Sequence, residues 1–421
     1  MSSLQILISL MAILQVSFEF FLRRKNEASI SRMQKNPPSG ASAIMDKETW
    51  AKTSEYTLAK SKLSTIEDFL GLLFFLPTFL FLFPWVFSLW PTGQESGIWG
   101  ASFVACAFLN LIQLPNLFFD WYKQFILEEK FGFNQSTLHL WAVDKVKGTM
   151  IGFFVSFIFI ACLIFLYREI SFYQPAYWWV FVFCVFFGIQ LLAMILWPKF
   201  ILPLFNKFSP LEEGELKERL IGLAERTGFK AKTIEVVDGS KRSRHSNAYF
   251  TGFGRFRKIV LYDTLIEQME AEEVEAVLAH EVGHYRMGHI PKRLATSFFF
   301  GLASFGFLSL CLSSPWIYES LNLSSTLTNS LSSMLVALIL SIGFFTYWIS
   351  PVSNFFSRKH EYEADRFASQ SMGGPLPLIN ALRKLYVENL SHPFPHPWIA
   401  NFHNSHPTIL EREESLVKKP I

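Results

Sequence analysis

The sequence predicts a mainly α-helical, polytopic membrane protein: seven transmembrane helices, with a folded region on one face that carries a small β-sheet. Three observations support this fold class. The 421-residue chain is 51% hydrophobic and 17% aromatic, with 46 Phe, and its mean hydropathy is +0.27. Charged residues make up only 17%, against about 25% in a soluble domain. Those charges are missing from long stretches and crowd the segments between them. This composition excludes disorder, a coiled coil and a secreted disulfide scaffold. A net charge of +3 gives no footing for nucleic acid.

Residues 69–90, 97–119, 149–167, 171–198, 294–318 and 321–357 contain no Asp, Glu, Lys or Arg. Each supplies the roughly 20 apolar residues a bilayer-spanning helix needs. The last is Ser-rich at its start, which moves its span to 331–350. Residues 4–22 form the seventh, broken only by Gln5, Gln15 and Glu19. A signal peptide would show a basic start and a small-residue cleavage site. Neither is there, and Arg23-Arg24-Lys25 follows as a stop.

Seven spans put 23–68, 120–148, 205–293 and the tail from 353 on one side, and 91–96, 168–170 and 319–330 on the other. The first set holds 36 of the 38 Lys and Arg residues. Basic loops stay in the cytoplasm, so the first set is cytoplasmic and the N-terminus lies outside. The expected organisation is an N-terminal region with five spans (1–204), a cytoplasmic region (205–293), spans six and seven (294–352) and a C-terminal region (353–421). Cys106, Cys162, Cys184 and Cys311 all sit in apolar spans without CxxC spacing and read as buried hydrophobes. Asn110, Gln113, Asn116 and Gln190 suit either a wall facing water or hydrogen bonds between helices.

In the cytoplasmic parts, 45–62 is polar and helical. Residues 212–228 have helical apolar spacing at Leu216, Leu220, Ile221 and Ala224. Residues 233–237, 248–251 and 258–262 read as strands, with a turn at Gly252 and Gly254. A strong helix covers 271–289, with Val274, Val277, Leu278, Val282 and Tyr285 on one stripe. The tail is helical over 354–371, irregular through 391–404 and helical again at 409–416.

The 271–289 helix carries Leu278-Ala279-His280-Glu281-Val282-Gly283-His284, an HExxH pattern. Four-residue spacing puts both imidazoles on one face, able to share a Zn²⁺, with Glu281 beside them to polarise a water. Chance produces the pattern in roughly one such chain per hundred. A catalytic zinc needs a third protein ligand. The segment 357–365 (SRKHEYEAD) offers Glu361, which can ligate, and Asp365, which can accept the outer N–H of a ligand imidazole. Two spans separate His284 from Glu361, so both return to the same side of the membrane.

HEVGH, a later Glu-x-x-x-Asp and seven spans together resemble the Ste24-type CAAX prenyl endopeptidases, integral-membrane zinc metalloproteases of the M48 class. Further marks run in the family's order: 44–49 (IMDKET), 128–134 (EEKFGFN), 246–250 (SNAYF), 259–264 (IVLYDT), and 405–407 (SHP) with Glu411-Arg412. The resemblance implies a gluzincin-like domain on the cytoplasmic face and one zinc per chain, held by His280, His284 and Glu361. It implies Glu281 as general base, Asp365 as orienter of a ligand imidazole and aid to proton transfer, and His406 as a catalytic residue at the oxyanion. Asn247 and Ala248 lie on an edge strand that holds the substrate backbone, and Arg412 fixes the substrate-binding site through ion pairing. His245, His289, His360, His392, His396 and His403 have no spacing argument and read as solvated or structural. Compared with larger relatives, the segment between the last two spans, about 313–330, is short.

The implied partners are the bilayer and peptide or prenylated protein C-termini. In a bacterial host the same enzyme would serve membrane-protein quality control on non-prenylated substrates. The membrane is then the bacterial plasma membrane or the endoplasmic reticulum, whose dilysine-type address Lys418-Lys419-Pro420-Ile421 fits. A transporter or a seven-helix receptor gives no reason for HExxH and Glu361 to share a side. An inactive protease-like protein is at odds with the full set of catalytic residues.

Overall fold

The computed structural model describes residues 1–89, 97–229, 233–251, 258–324, 327 and 329–418. The loop at 91–96, Gly252, Gly254, part of the segment 313–330 and the last three residues of the tail lie outside the described residues. Helix α1 (Ser3–Lys35) opens on a capping box between Ser2 and Gln5. Helix α2 (Lys47–Leu89) starts at Asp46, whose Oδ1 accepts from Thr49 N at 2.8 Å. Next come α3 (Ile98–Phe131), α4 (Leu138–Tyr173) and α5 (Trp178–Leu204). α3 is interrupted at Ile112–Gln113, ahead of Pro115, where a backbone donor is lost. π-turns follow Pro77 in α2 and contain Pro198 in α5, widening the helix where its hydrogen-bond ladder is broken.

Strand β1 (Phe208–Pro210) and helix α6 (Glu215–Thr227) precede β2 (Thr233–Val237), β3 (Ala248–Thr251) and β4 (Lys258–Tyr262). The three anticipated strands keep their boundaries, and β1 is added. The sheet order is β1-β2-β4-β3, parallel between β2 and β4 and antiparallel elsewhere. β3 is therefore an edge strand. The anticipated 271–289 helix is two. Helix α7 (Ala271–Arg286) stops before Gly288, whose φ of 68° is left-handed, and α8 (His289–Leu312) leaves in a new direction. The glycine tolerates that conformation because it has no Cβ.

Helix α9 (Leu331–Ser371) carries the last span through a 3₁₀ turn at Tyr347–Ile349 into the segment of Glu361 and Asp365. Three helices complete the chain: α10 (Leu376–Glu388), α11 (Pro397–His403) and α12 (Ile409–Lys418). The stretch expected to be irregular thus holds α11, started by Pro397 and by His396 Nδ1, which accepts from Trp398 N at 3.2 Å. Proline suits a first turn because the N–H it lacks has no partner there.

Seven of these helices are long and apolar enough to cross a membrane: α1 to α5, α8 and α9. At about 1.5 Å per residue they outrun a hydrocarbon core of about 30 Å, so several carry their polar ends out of the lipid. Among the described residues two large apolar clusters form. One joins Phe79, Phe83, Phe87 and Phe108 to α4, α8 and α9. The other joins Leu220, Leu223, Ile259, Leu261, Val274 and Leu278 beneath the sheet. In α3, Asn110 Nδ2 donates to Cys106 O within its own helix at 2.8 Å, and Asn110 and Gln113 line a cavity beside Gly148 and Gly152 of α4. Among the described residues the bonds of these amides stay within α3.

Candidate metal centre

α7 is a helix because Glu270 and Glu273 cap its start reciprocally and because one face is apolar. Val274, Leu278, Ala279 and Val282 are buried there with His280 and Gly283. That face packs on α9, which buries Glu361, Ala364, Asp365 and Ala368, spaced by three and four residues. A Cβ on Gly283 would lie 2.9 Å from Ala364 Cα and 3.0 Å from Ala364 O. Glycine thus sets the approach of the two helices. The HExxH pattern leaves that position free, so the sequence gives no signal for it.

Close approach brings three donor atoms together. His280 Nε2 and His284 Nε2 are 3.2 Å apart. Glu361 places Oε2 3.3 Å from His280 Nε2 and Oε1 3.3 Å from His284 Nε2. Atoms bound about 2.0–2.2 Å from a tetrahedral zinc sit roughly 3.3 Å from one another. Glu361 Oε2 is buried and has no hydrogen-bond partner, although His406 Nδ1 is only 2.8 Å away. A buried carboxylate whose two oxygens each face an imidazole Nε2, one of them without a hydrogen-bond donor, fits a cation. The two-histidine, one-carboxylate set fits zinc.

The surroundings orient these donors. Asp365 Oδ1 lies 2.8 Å from His280 Nδ1, turning Nε2 towards Glu361. Arg412, from α12, grips Asp365 with two bonds, Nε to Oδ2 at 2.8 Å and Nη2 to Oδ1 at 2.5 Å. All three are buried. Burial pulls the His280 imidazole down, but Asp365 and Glu361 outweigh it and hold the ring up at about 9. Behind His284, His289 Nδ1 lies 2.9 Å from His284 Nδ1, and His289 Nε2 lies 3.0 Å from Glu363 Oε2. His360 stacks on His289 at 4.0 Å. His289 starts the helix after Gly288, so no fixed spacing ties it to His284 in the sequence.

A cavity of about 270 Å³ gathers Asn247, Ala248, His280, Glu281, Glu361, His406 and Arg412 in its lining. His284 and Asp365 stand outside that lining. Asn247 O accepts from Tyr262 N at 3.1 Å, leading the chain into β3, the free edge of the sheet. Three further histidines serve elsewhere. His245 contacts Glu128, His403 lies 3.0 Å from Glu19, and His392 packs on Trp50.

Residues 28–207 match the family model described as CAAX prenyl protease N-terminal, five membrane helices, and residues 210–419 match peptidase family M48. The chain is 36% identical to CAAX prenyl protease 1 of Saccharomyces cerevisiae, over 98% of this chain and 95% of that one. It is 29% identical to the CAAX prenyl protease 1 homolog of Homo sapiens, over 95% and 92%. The crystal structure of S. mikatae Ste24p superposes with a TM-score of 0.86 at 32% identity, covering 99% of each chain.

Proposed function

Because the chain belongs to the M48 peptidases built on five N-terminal membrane helices, and is a membrane metalloendopeptidase, we propose that it is a zinc enzyme cutting near the C-terminus of prenylated CAAX proteins from the cytoplasmic side. The observation that carries this reading is the tetrahedral spacing of His280 Nε2, His284 Nε2 and the Glu361 carboxylate. The names of the yeast and human relatives support the substrate class. The crowding of 36 of 38 basic residues into one set of loops supports the side.

His280, His284 and Glu361 would hold zinc, which when bound supplies a Lewis acid that acidifies water and polarises the scissile carbonyl. Asp365 accepts from His280 Nδ1, and Arg412 pins Asp365 in place. The unpaired edge of β3, led by Asn247 and Ala248, takes the substrate backbone as an added strand. Glu281 removes the proton from the attacking water and delivers it to the leaving amine. His406, with a side chain 62% exposed, donates to the oxyanion as it forms.

The test uses purified protein and a farnesylated CAAX peptide. Bound zinc should approach one per chain. Glu281→Gln should keep that zinc and lose cleavage, since it moves a proton and holds no metal. Native-rate cleavage by Glu281→Gln, or by protein stripped of zinc, overturns the reading.

A further inference from the structure

A second cavity, of about 740 Å³, shares Ser246, Asn389 and Ser391 with the candidate metal centre and extends away from it to Lys60, Lys123 and Lys145. Its charges do not balance. Three lysines face two carboxylates, Asp120 and Glu128. Lys145 is paired with Asp120. Glu128 is already held, by Tyr56 Oη at 2.8 and 3.0 Å from its two oxygens and by His245 Nε2 at 3.3 Å. Lys60 Nζ stands over the Tyr56 ring, 3.9 Å from its centroid. Among the described residues, neither Lys60 nor Lys123 has a carboxylate within ion-pair distance. One ammonium group in excess of the carboxylates, in a concave site, leaves a place for an anion.

The sheet says which anion reaches it. Ser246 and Asn247 lead into the N-terminal end of β3, and the cavity begins at Ser246. Antiparallel pairing is the slightly more stable arrangement. A substrate strand paired antiparallel to β3 runs its C-terminal half past Ala248, Asn247 and Ser246. The residues after the scissile bond therefore point into the lysine cavity. A few extended residues span about 10 Å, and in a CAAX-type substrate they end in a free carboxylate.

Resting on the reading of this enzyme as a CAAX endopeptidase, we propose that Lys60, with Lys123 beside it, binds the free α-carboxylate of the substrate's C-terminus. Such a site measures the distance from scissile bond to chain end. It makes the enzyme select termini over internal segments of the same sequence. Lys60 is a specificity-determining group and takes no part in bond cleavage.

The experiment compares two farnesylated CAAX peptides that differ only at the C-terminus, one a free acid and one a primary amide. Wild-type enzyme should favour the acid in kcat/KM by about tenfold or more, the worth of a charge-assisted hydrogen bond, chiefly through KM. In Lys60→Gln that ratio should fall towards one, and Lys60→Arg should retain it. Lys123→Gln supplies a second reading of the same cavity if Lys60→Gln is recovered poorly, as judged by bound zinc. Equal cleavage of acid and amide by wild type, or an unchanged ratio in both Gln variants, overturns the carboxylate site and leaves the endopeptidase reading intact. Cleavage of neither peptide by zinc-loaded wild type overturns both.

Discussion

Glu361 and Asp365 stand one helical turn apart on α9, yet only Glu361 faces both imidazole Nε2 atoms. Asp365 meets the far nitrogen of His280 and the guanidinium of Arg412. Glu361→Ala should therefore be isolated largely free of zinc. Removing the Asp365 side chain outright would leave the buried Arg412 and His280 Nδ1 without an acceptor there, so Asp365→Asn, which keeps one acceptor oxygen, is the cleaner probe. It should keep most of its zinc at saturating metal and lose activity by about 10–100-fold, the usual cost of a partner behind a ligand. Zinc counted after identical dialysis decides the point. Equal loss from both variants would place both carboxylates on the metal. A different residue sets a pH response. Burial pushes the His392 imidazole down to about 4, whereas an unfolded histidine titrates near 6.5. Between those values the unfolded chain takes up the proton, so this contribution to stability is intact above about pH 6.5 and is lost as pH falls towards 4. In His392→Asn, whose side chain can still accept from Phe394 N, the melting temperature should fall less steeply across that window. HExxH was legible because spacing on one helix is fixed. His289 was not, because a left-handed residue separates it from His284.

At the scale of the element, the contact between α7 and α9 holds the centre together. Gly283→Ala would drive a methyl into the backbone of Ala364, which cannot rotate aside. Overpacking of this kind typically costs about 1–3 kcal/mol. Because the histidines ride on one helix and Glu361 on the other, zinc occupancy should fall along with thermal stability. Native zinc content and melting temperature in Gly283→Ala would refute this account of the helix pair. Strands β2, β3 and β4 were legible from short apolar, β-branched and aromatic runs. No expectation was drawn for the stretch that forms α10, whose cap and first turn hold Pro375 and Pro377. The fusion of the last span with the Glu361 segment was hidden in the sequence. Polarity changes near residue 353, but the backbone continues as helix.

At the scale of the whole molecule, the distribution of charge leads to a labelling test. A cysteine at Glu213 should react with an impermeant reagent only from the cytoplasmic side, and one at Gln174 only from the opposite side. The reverse pattern would invert the molecule. The helical path of α9 has a mechanical consequence. A 3₁₀ turn at Tyr347–Ile349 joins the membrane span to the helix that carries Glu361, an arm of roughly 16 Å. Its histidine partners lie across the break at Gly288 from span six and do not share that arm. Thinner or thicker bilayers change helix tilt. A tilt of about 5° passed through that turn to the arm swings Glu361 by roughly 1.4 Å against the histidines, and a misplacement of about 1 Å is enough to slow catalysis by orders of magnitude. The acyl-chain length of the surrounding lipid thus becomes a throttle on a soluble-looking centre. Turnover measured across a series of phosphatidylcholine bilayers should peak at one thickness and fall on both sides.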